Sequence, residues 1–282
     1  MSDGYSISVV VPTRDRPRQL AACLAALTAQ TRRPMEIIVV DDASRDSAAI
    51  DAVVSSVGGA RLVRGRGDGP AAARNLGVGE ALGDVVCLTD DDCRPDSNWL
   101  AALVECVTAG AAVVAGRTDA SPPGAIVTCA SQVITNQLLT ASMGDTRATV
   151  TFAPTCNLAL TAGTAASFPF DESFPLAAGE DREWCDRVTE AGIAIVYTPV
   201  ATVAHQPELT LRSFWRQQVR YGRGAAHWRR RRTHDPNWQP ARFYVDLVRA
   251  GFAGGLRCGV LVVAAQVATT YGLVRESVRT PS

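Results

Sequence analysis

Hydrophobic and polar positions alternate in blocks over the first two hundred residues. Runs of β-branched apolar residues predict buried strands; they cover residues 5–11, 36–41, 60–64, 84–89, 111–116 and 194–199. Segments with apolar residues at helical spacing predict helices; they cover residues 16–30, 70–82, 97–110 and 180–192. Strands that alternate with helices are typical of a parallel sheet. We therefore predict an α/β fold with a mostly parallel sheet flanked by helices.

The remaining segments give weaker patterns. Asp15 precedes the first helix and is a predicted N-cap. Residues 117–170 show no regular period, whereas the chain from Leu209 onward is mainly helical and rich in arginine. The apolar segment 258–274 is shorter than the roughly 20 residues that a membrane span needs, which favours a packed or interfacial helix. We predict a body at 1–205 and a helical C-terminal region at 206–282.

The composition excludes several classes of protein. All 28 basic residues are arginine, so neither a Walker A loop nor a lysine-bound pyridoxal phosphate is available. None of the eight cysteines forms a CxxC pair, which predicts buried thiols in a reducing compartment rather than disulfides or zinc. The N-terminus lacks the pattern of a signal peptide. We expect a cytoplasmic protein.

The charge is unevenly distributed along a chain whose net charge is zero. Residues 201–282 contain 13 arginines and four acids. Such a basic region favours an anionic partner, either a phosphate group, a lipid surface or a nucleic acid. The run Arg229–Arg232 next to the apolar segment suggests peripheral contact with the inner face of an anionic membrane.

Acidic residues follow two of the predicted strands. Asp41 and Asp42 end one strand, and Asp90, Asp91 and Asp92 end another. Ligands of open α/β sheets bind beside the carboxyl ends of the strands. Carboxylates there can hold Mg²⁺ together with substrate phosphates, although a single acidic turn is more often only solvated. Two acidic strand ends favour a site for a cation and a diphosphate.

Five motifs in order resemble the inverting family 2 glycosyltransferases, which have the GT-A fold. The motifs are VVVPTRDR, IIVVDDAS, GPAAARNLG, LTDDDCRPD and GEDREWCDRV, and the resemblance covers roughly residues 5–225. It implies transfer of a sugar from a nucleoside-diphosphate sugar (UDP, GDP or dTDP type) to an acceptor hydroxyl, with a divalent metal. The acceptor is unknown, and the C-terminal helices could shape its pocket or mediate a homodimer.

The resemblance also implies roles for individual residues. The residues implied to bind the donor are Pro12, Thr13, Arg14, Asp41 or Asp42, Arg74, Asn75, Asp90 and Asp91. Asp90 and Asp92 match the Asp-x-Asp motif and are the implied metal residues: Asp90 would contact the ribose or a metal-bound water, and Asp92 would bind Mn²⁺ or Mg²⁺. His205 would be either a further metal ligand or a capped or core histidine. Asn157 would either contact a sugar hydroxyl or serve as a turn residue.

Two later motifs supply the implied general base and the arginine that would neutralise the leaving phosphate. Asp181 would take the proton from the acceptor hydroxyl, and Glu180 precedes it. A carboxylate at a helix N-terminus can equally be a simple capping acid. Arg220, in a segment that resembles the Gln-x-x-Arg-Trp motif with Tyr221 in place of Trp, would neutralise the leaving phosphate.

Three other readings compete with this assignment. A nucleotidyltransferase of related architecture would need a lysine, which the chain lacks. A nucleic-acid-binding protein that uses the Arg-rich region remains the alternative, but the acidic first 200 residues argue against it. A non-catalytic relative is disfavoured because the acids at 41–42, 90–92 and 180–181 are intact. We expect no nucleic-acid partner.

Overall fold

The computed structural model describes residues 4–121, 125–174, 178–231 and 239–279. Within these ranges nine strands form a single sheet. The strands are β1 (Ile7–Thr13), β2 (Glu36–Asp41), β3 (Ala60–Arg64), β4 (Val85–Leu88), β5 (Cys93–Pro95), β6 (Val113–Ala120), β7 (Thr149–Val150), β8 (Leu158–Thr161) and β9 (Ile195–His205).

Ten α-helices and one 3₁₀ turn at Thr155–Asn157 cover this sheet and its C-terminal side, counted over the same described ranges. The helices are α1 (Pro17–Thr28), α2 (Ser47–Ser55), α3 (Pro70–Gly79), α4 (Trp99–Thr108), α5 (Ile126–Ala141), α6 (Ala162–Ser167), α7 (Glu180–Glu190), α8 (Leu211–Arg231), α9 (Ala241–Ala253) and α10 (Leu256–Ser277).

The sheet places its acidic strand ends on one edge. Eight of the nine strands follow the order β3-β2-β1-β4-β8-β6-β9-β5, and the short strand β7 pairs with β9 outside this order. Strands β3, β2, β1 and β4 are parallel, as predicted. Strand β8 is antiparallel between β4 and β6, and β9 runs parallel to β6. Thr13 lies opposite Asp41 in the register of β1 and β2, and Val10 lies opposite Leu88. The turns after β1, β2 and β4 therefore lie side by side.

Two hydrophobic layers cover the two faces of the sheet. Side chains alternate along β1, so that Val9 packs into one layer and Val10 into the other. Helices α1, α2 and α4 cover the first face, and α3 and α7 cover the second face. The continuous apolar runs in the sequence reflect strands that are buried on both sides.

A third hydrophobic cluster joins α5 to the C-terminal helices. Ala130 of α5 packs with Phe214, Phe243, Leu247 and Val262 of α8, α9 and α10. The prediction of an irregular segment at 117–170 missed this helix, whose serines, threonines and glutamines conceal its period. The boundary between 1–205 and 206–282 stays a prediction.

Two local expectations were wrong. Asp15 does not cap α1, because its side chain accepts hydrogen bonds from the backbone N–H and Nε of Arg45 instead. The apolar C-terminal segment is not too short for a membrane span, because α10 extends over 22 residues. Among the described residues, α10 is the one helix that is long enough and apolar enough to cross a membrane, by its length and composition.

Candidate active site

The acid triplet, Asp90 to Asp92, is hydrogen-bonded to the end of β1 and to the turn that follows it. One carboxylate oxygen of Asp91 accepts a hydrogen bond of 2.8 Å from Thr13 Oγ1, and the other accepts one of 3.0 Å from Arg16 Nη1. Burial raises the pKa of Asp91 to about 6, although Arg16 opposes this shift. Asp91 therefore holds two turns together with both of its oxygens.

Arg16 is the cation that pairs with two of the three adjacent acids, Asp91 and Asp92. The same Nη1 that contacts Asp91 lies 3.0 Å from Asp92 Oδ2. Arg16 was not among the site residues predicted from the sequence. The only signal in the sequence was its position in the PTRDR segment, three residues beyond the end of a strand that the acids were expected to approach.

Strand pairing brings His205 to Asp92. Cys93 at the start of β5 lies opposite His205 at the end of β9, so His205 Nε2 is 3.4 Å from Asp92 Oδ1. Burial opposes ionisation of both groups, but their mutual hydrogen bond lowers the pKa of Asp92 and raises the pKa of His205 to about 9. The two residues form a close carboxylate–imidazole pair.

Gln132 of α5 fixes the orientation of His205. The amide N–H of Gln132 donates to Thr118 O and to Asn136 Oδ1, so its Oε1 is the atom that lies 2.9 Å from His205 Nδ1. The Nδ1 atom must then carry a proton and donate it. This arrangement directs Nε2 toward Asp92, and the sequence alone predicts neither it nor α5.

The donor set beside β5 fits a divalent cation. Ligand atoms of Asp92, Cys93 and His205 lie within 4.8 Å of one another. A carboxylate and an imidazole suit Mn²⁺, and also Mg²⁺ when substrate phosphates complete the coordination shell. A hydrogen bond with Cys156 and burial hold the pKa of Cys93 well above its usual value, so it remains a thiol and not a ligand.

A buried arginine joins the acid triplet to the base segment, residues 179–181, which contains the predicted general base Asp181. Arg74 Nη2 lies 2.9 Å from Asp90 Oδ1, and Arg74 Nη1 lies 3.5 Å from Glu180 Oε1. Arg74 and Glu180 are 5% and 6% exposed. Residues 106 positions apart in the sequence are thereby connected, so Asp90 and Glu180 belong to a single site.

The base segment sits at the N-terminus of α7. Gly179, in the left-handed region at φ 93°, precedes the helix, and the carboxylate of Asp181 accepts from the N–H of Arg182. Burial raises the pKa of Glu180 to about 7, with a contribution from the charge of Asp181. Burial also raises the pKa of Asp181. A carboxylate with a raised pKa is a better proton acceptor than one in water.

Helix α8 lies over this segment. A Cβ at Gly224 would come within 2.2 Å of the carbonyl oxygen of Ala178, so the backbone of α8 touches the start of α7. The charges of Asp181, Glu180 and Asp92 all act on the hydroxyl of Tyr221, whose pKa is raised mainly by burial. Arg220 precedes Tyr221, and its Nε is buried without a partner among the described residues.

The other predicted donor residues surround the end of β2. Asp42 accepts hydrogen bonds from the N–H groups of Gly67 and Gly69, and Arg14 Nη1 lies 3.7 Å from it. Asp41 is almost fully buried, where it pairs with Arg64 and accepts from the N–H of Ser44. Both acids therefore shape the loop that faces the edge of the sheet.

Two amides have structural partners. Asn75 exchanges hydrogen bonds with the backbone of Phe170 and donates to Glu172. Asn157 is fully buried, accepts from Trp99 Nε1 and donates to two carbonyl groups, which favours the structural alternative for this residue. Pro12 is half-buried within β1. Contact of Asn75 or Pro12 with a donor stays a prediction.

Comparison with known proteins agrees with this geometry. Residues 8–128 match the sequence model of glycosyl transferase family 2. The pre-mycofactocin glycosyltransferase of Mycobacterium tuberculosis is 28% identical over 78% of this chain and 47% of its own length. Glycosyltransferase AglE of Haloferax volcanii is 26% identical over 77% of this chain and 72% of its own length. The chain thus spans about half the length of the mycobacterial relative.

A solved structure shares the fold. The mannosyltransferase PcManGT of Pyrobaculum calidifontis, in complex with GDP-Man and Mn²⁺, superposes with a TM-score of 0.65 over 95% of this chain and 74% of its own. The sequence identity is 17%, so this similarity concerns the fold. The family match over residues 8–128 and the curated relatives make the chain similar to family 2 glycosyltransferases, and its architecture is the GT-A fold that it shares with the mannosyltransferase.

Proposed function

We propose that this enzyme is a metal-dependent, inverting transferase that moves a sugar from a nucleoside-diphosphate sugar to an acceptor hydroxyl. The observation that carries the proposal is the pair of contacts from Arg74 to Asp90 and to Glu180, which joins the acid triplet at 90–92 to the start of α7, where Asp181 lies. It brings carboxylates suited to a cation and a carboxylate suited to proton transfer to the same edge of the sheet.

The donor and the metal follow from the residues at the edge of the sheet. Asp92 and His205 would hold Mn²⁺ or Mg²⁺, and the cation would supply positive charge to the two phosphates of the donor. The backbone amides and acids around Asp42 would contact the nucleoside. The solved mannosyltransferase complex contains GDP-Man and Mn²⁺, which makes GDP-mannose the first donor to test here, beside UDP and dTDP sugars.

The chain's own residues would carry the proton and orient the leaving group. Asp181 takes the proton of the acceptor hydroxyl while that oxygen bonds to the anomeric carbon. The bond from this carbon to the diphosphate oxygen breaks, and the nucleoside diphosphate leaves on the opposite face, so the configuration inverts. Arg74 offsets the charge of Glu180 beside the base, and Arg220 is available to the departing phosphate.

Anomeric configuration tests the proposal directly. The protein would be incubated with Mn²⁺ and α-linked sugars of UDP, GDP and dTDP, and the released sugar or glycoside followed by proton NMR. We expect one donor to be consumed and the first product to have the β configuration. A first product with the α configuration would contradict inversion, and consumption of no donor, with water and simple sugars as acceptors, would contradict the transferase assignment.

The alternative of a nucleic-acid-binding surface finds little support in the Arg-rich region. Arg223 lies 2.7 Å from Glu276, Arg230 donates to the carbonyl of Glu276, and Arg231 pairs with Asp171. These arginines are used within the protein, and Arg232 lies outside the described residues. The absence of nucleic acid among the partners stays a prediction.

Removing the acceptor atom that orients His205 should weaken metal binding. We expect Gln132→Met to raise the Kd for Mn²⁺ by roughly tenfold, because ligands that lose their outer hydrogen bond bind metal less tightly. Gln132→Glu keeps an acceptor oxygen and should restore most of the affinity. The measurement is titration calorimetry of the protein with Mn²⁺.

The control for this prediction is Asn136→Leu. It removes the hydrogen bond from Asn136 to Thr118 O and one of the two acceptors of the Gln132 amide, but it leaves Gln132 Oε1 in place to accept from His205. Equal loss of Mn²⁺ affinity in Gln132→Met and Asn136→Leu would show that Gln132 acts only through the packing of α5.

Ionisation of Glu180 should make stability depend on pH. Its pKa in the folded protein, about 7, lies above the ordinary value of 4.5, so the folded state gains protons. The stability that this proton provides is present below pH 4.5 and is lost as the pH rises through 7. Glu180→Gln cannot ionise and escapes this loss. Relative to the wild type, its free energy of unfolding should rise by roughly 2–3 kcal/mol between pH 5 and pH 8.

Urea unfolding of both proteins at several pH values measures this difference. A free-energy difference between Glu180→Gln and wild type that stays constant over the range would contradict the raised pKa.

A further inference from the structure

Helix α10 exposes a continuous apolar stripe. Seven large apolar residues, each 43% to 75% exposed, recur at intervals of three and four along it. They are Leu256, Val260, Val263, Val267, Tyr271, Val274 and Val278. At 1.5 Å per residue, the 22-residue helix carries this stripe over about 33 Å. Isolated apolar residues at a surface need no explanation, but a stripe of this length marks an interaction site.

The opposite face of α10 is built from small residues. Five small residues are buried there together with a single larger one, Val262: they are Cys258, Gly259, Ala265, Ala268 and Gly272. The backbones of α8 and α10 touch, since a Cβ at Gly272 would lie 2.1 Å from Val219 O and one at Gly222 would lie 1.9 Å from Thr269 O. A helix of a water-soluble core buries its large side chains. Small residues inside and large apolar residues outside are the arrangement of helices in contact with lipid.

The charges around the stripe select the partner. Arg257, Arg275 and Arg279 are exposed at its two ends, whereas Glu276 bonds inward to Arg223. If two copies of α10 met along the stripe, either in parallel or in antiparallel orientation, arginine would face arginine. An anionic lipid headgroup layer instead complements these charges. We therefore propose that the α10 stripe docks the enzyme on an anionic membrane surface.

The geometry favours a helix that lies along the membrane. The small-residue face of α10 is packed against α8, and α8 carries seven arginines in 21 residues. A helix so charged does not enter hydrocarbon readily, so its close partner α10 inserts only the exposed face. Phe252 of α9 is 44% exposed and rests against Gly259, which extends the apolar surface next to Leu256 and Val260.

This inference goes beyond the proposed function, because it concerns a surface on the far side of α8 and holds for any donor. Its test is cosedimentation of the full chain with vesicles of phosphatidylcholine, with and without phosphatidylglycerol. We expect binding to the anionic vesicles, with a partition coefficient that falls at least about tenfold in Val267→Glu/Val274→Glu. High salt should also weaken this binding.

The matched control adds two glutamates elsewhere. Leu82→Glu/Val200→Glu changes exposed apolar residues of the body by the same charge and should leave vesicle binding intact. Circular dichroism and a cooperative thermal unfolding transition like that of the wild type would verify that both double variants are folded. Equal binding of the stripe variant and wild type would overturn the proposal. A second result would also overturn it: the wild type does not bind vesicles, light scattering shows that it is a dimer, and the stripe variant is a monomer.

Discussion

Asp181→Asn should abolish sugar transfer while leaving donor binding intact. The asparagine side chain keeps the size of the aspartate and its place at the start of α7, but it cannot accept the proton of the acceptor hydroxyl. General base catalysis contributes about 10²- to 10⁴-fold, so we expect kcat to fall by roughly 10³-fold. Stabilisation by the nucleoside diphosphate with Mn²⁺ should remain, because the candidate metal ligands are Asp92 and His205, whereas the carboxylate of Asp181 bonds to the N–H of Arg182.

The control is Glu183→Gln in the first turn of the same helix. It removes the same charge, but Glu183 pairs with Arg187 and lies outside the network of Arg74. We expect its kcat to stay close to that of the wild type. An Asp181→Asn enzyme with a kcat within a few-fold of wild type, or a Glu183→Gln enzyme that is equally impaired, would remove Asp181 from the role of base.

Arg74→Met should be the most destabilising change in the site. The variant leaves Asp90 and Glu180 without their shared cation, and Glu180 is buried. Breaking a buried ion pair from one side lowers the free energy of unfolding by about 3–5 kcal/mol. The loss should shrink below pH 7, because Glu180 then takes up a proton and no longer needs the arginine.

Arg61→Met provides the comparison for a more exposed arginine. Arg61 lies on the outer strand β3 and bonds to Glu36 and Glu80, and its side chain is 38% exposed. We expect Arg61→Met to lower the free energy of unfolding by at most about 1 kcal/mol, as is usual for surface ion pairs. Urea unfolding at pH 5 and pH 8 separates the two cases. Similar losses for both variants, independent of pH, would contradict a buried charge network around Arg74.

The sequence predicts a strand or a helix correctly where its hydrophobic pattern is clear within the segment itself. The strands at 36–41 and 60–64 were predicted with the bounds that the structure shows, because their apolar runs end at charged or glycine residues. Helix α5 was missed because its buried face includes Thr128, Ser131 and Gln132. Polar residues on a buried face hide the helical period, and only tertiary contacts with α8, α9 and α10 explain them.

The sequence predicts the acids of the candidate site and several of its arginines, but not Arg16 and not which acid each arginine contacts. Carboxylates at strand ends stand out in a sequence, since they interrupt apolar runs. The partners that make them tolerable, Arg16 for Asp91 and Asp92 and Arg74 for Glu180, depend on contacts across 75 to 106 residues. Such contacts follow from the order of strands in the sheet, which sequence periodicity does not determine.

The central claim is that the acid triplet binds a cation together with a nucleoside diphosphate. Thermal unfolding with UDP, GDP, dTDP and CDP, each with and without Mn²⁺ or Mg²⁺, tests it most directly, because a ligand of the native state raises the Tm. We predict that one diphosphate raises the Tm only with metal, that Asp92→Asn loses the effect, and that Asp46→Asn, at the N-cap of α2, keeps it. No metal-dependent shift with any nucleotide, or an unchanged shift in Asp92→Asn, would contradict the account.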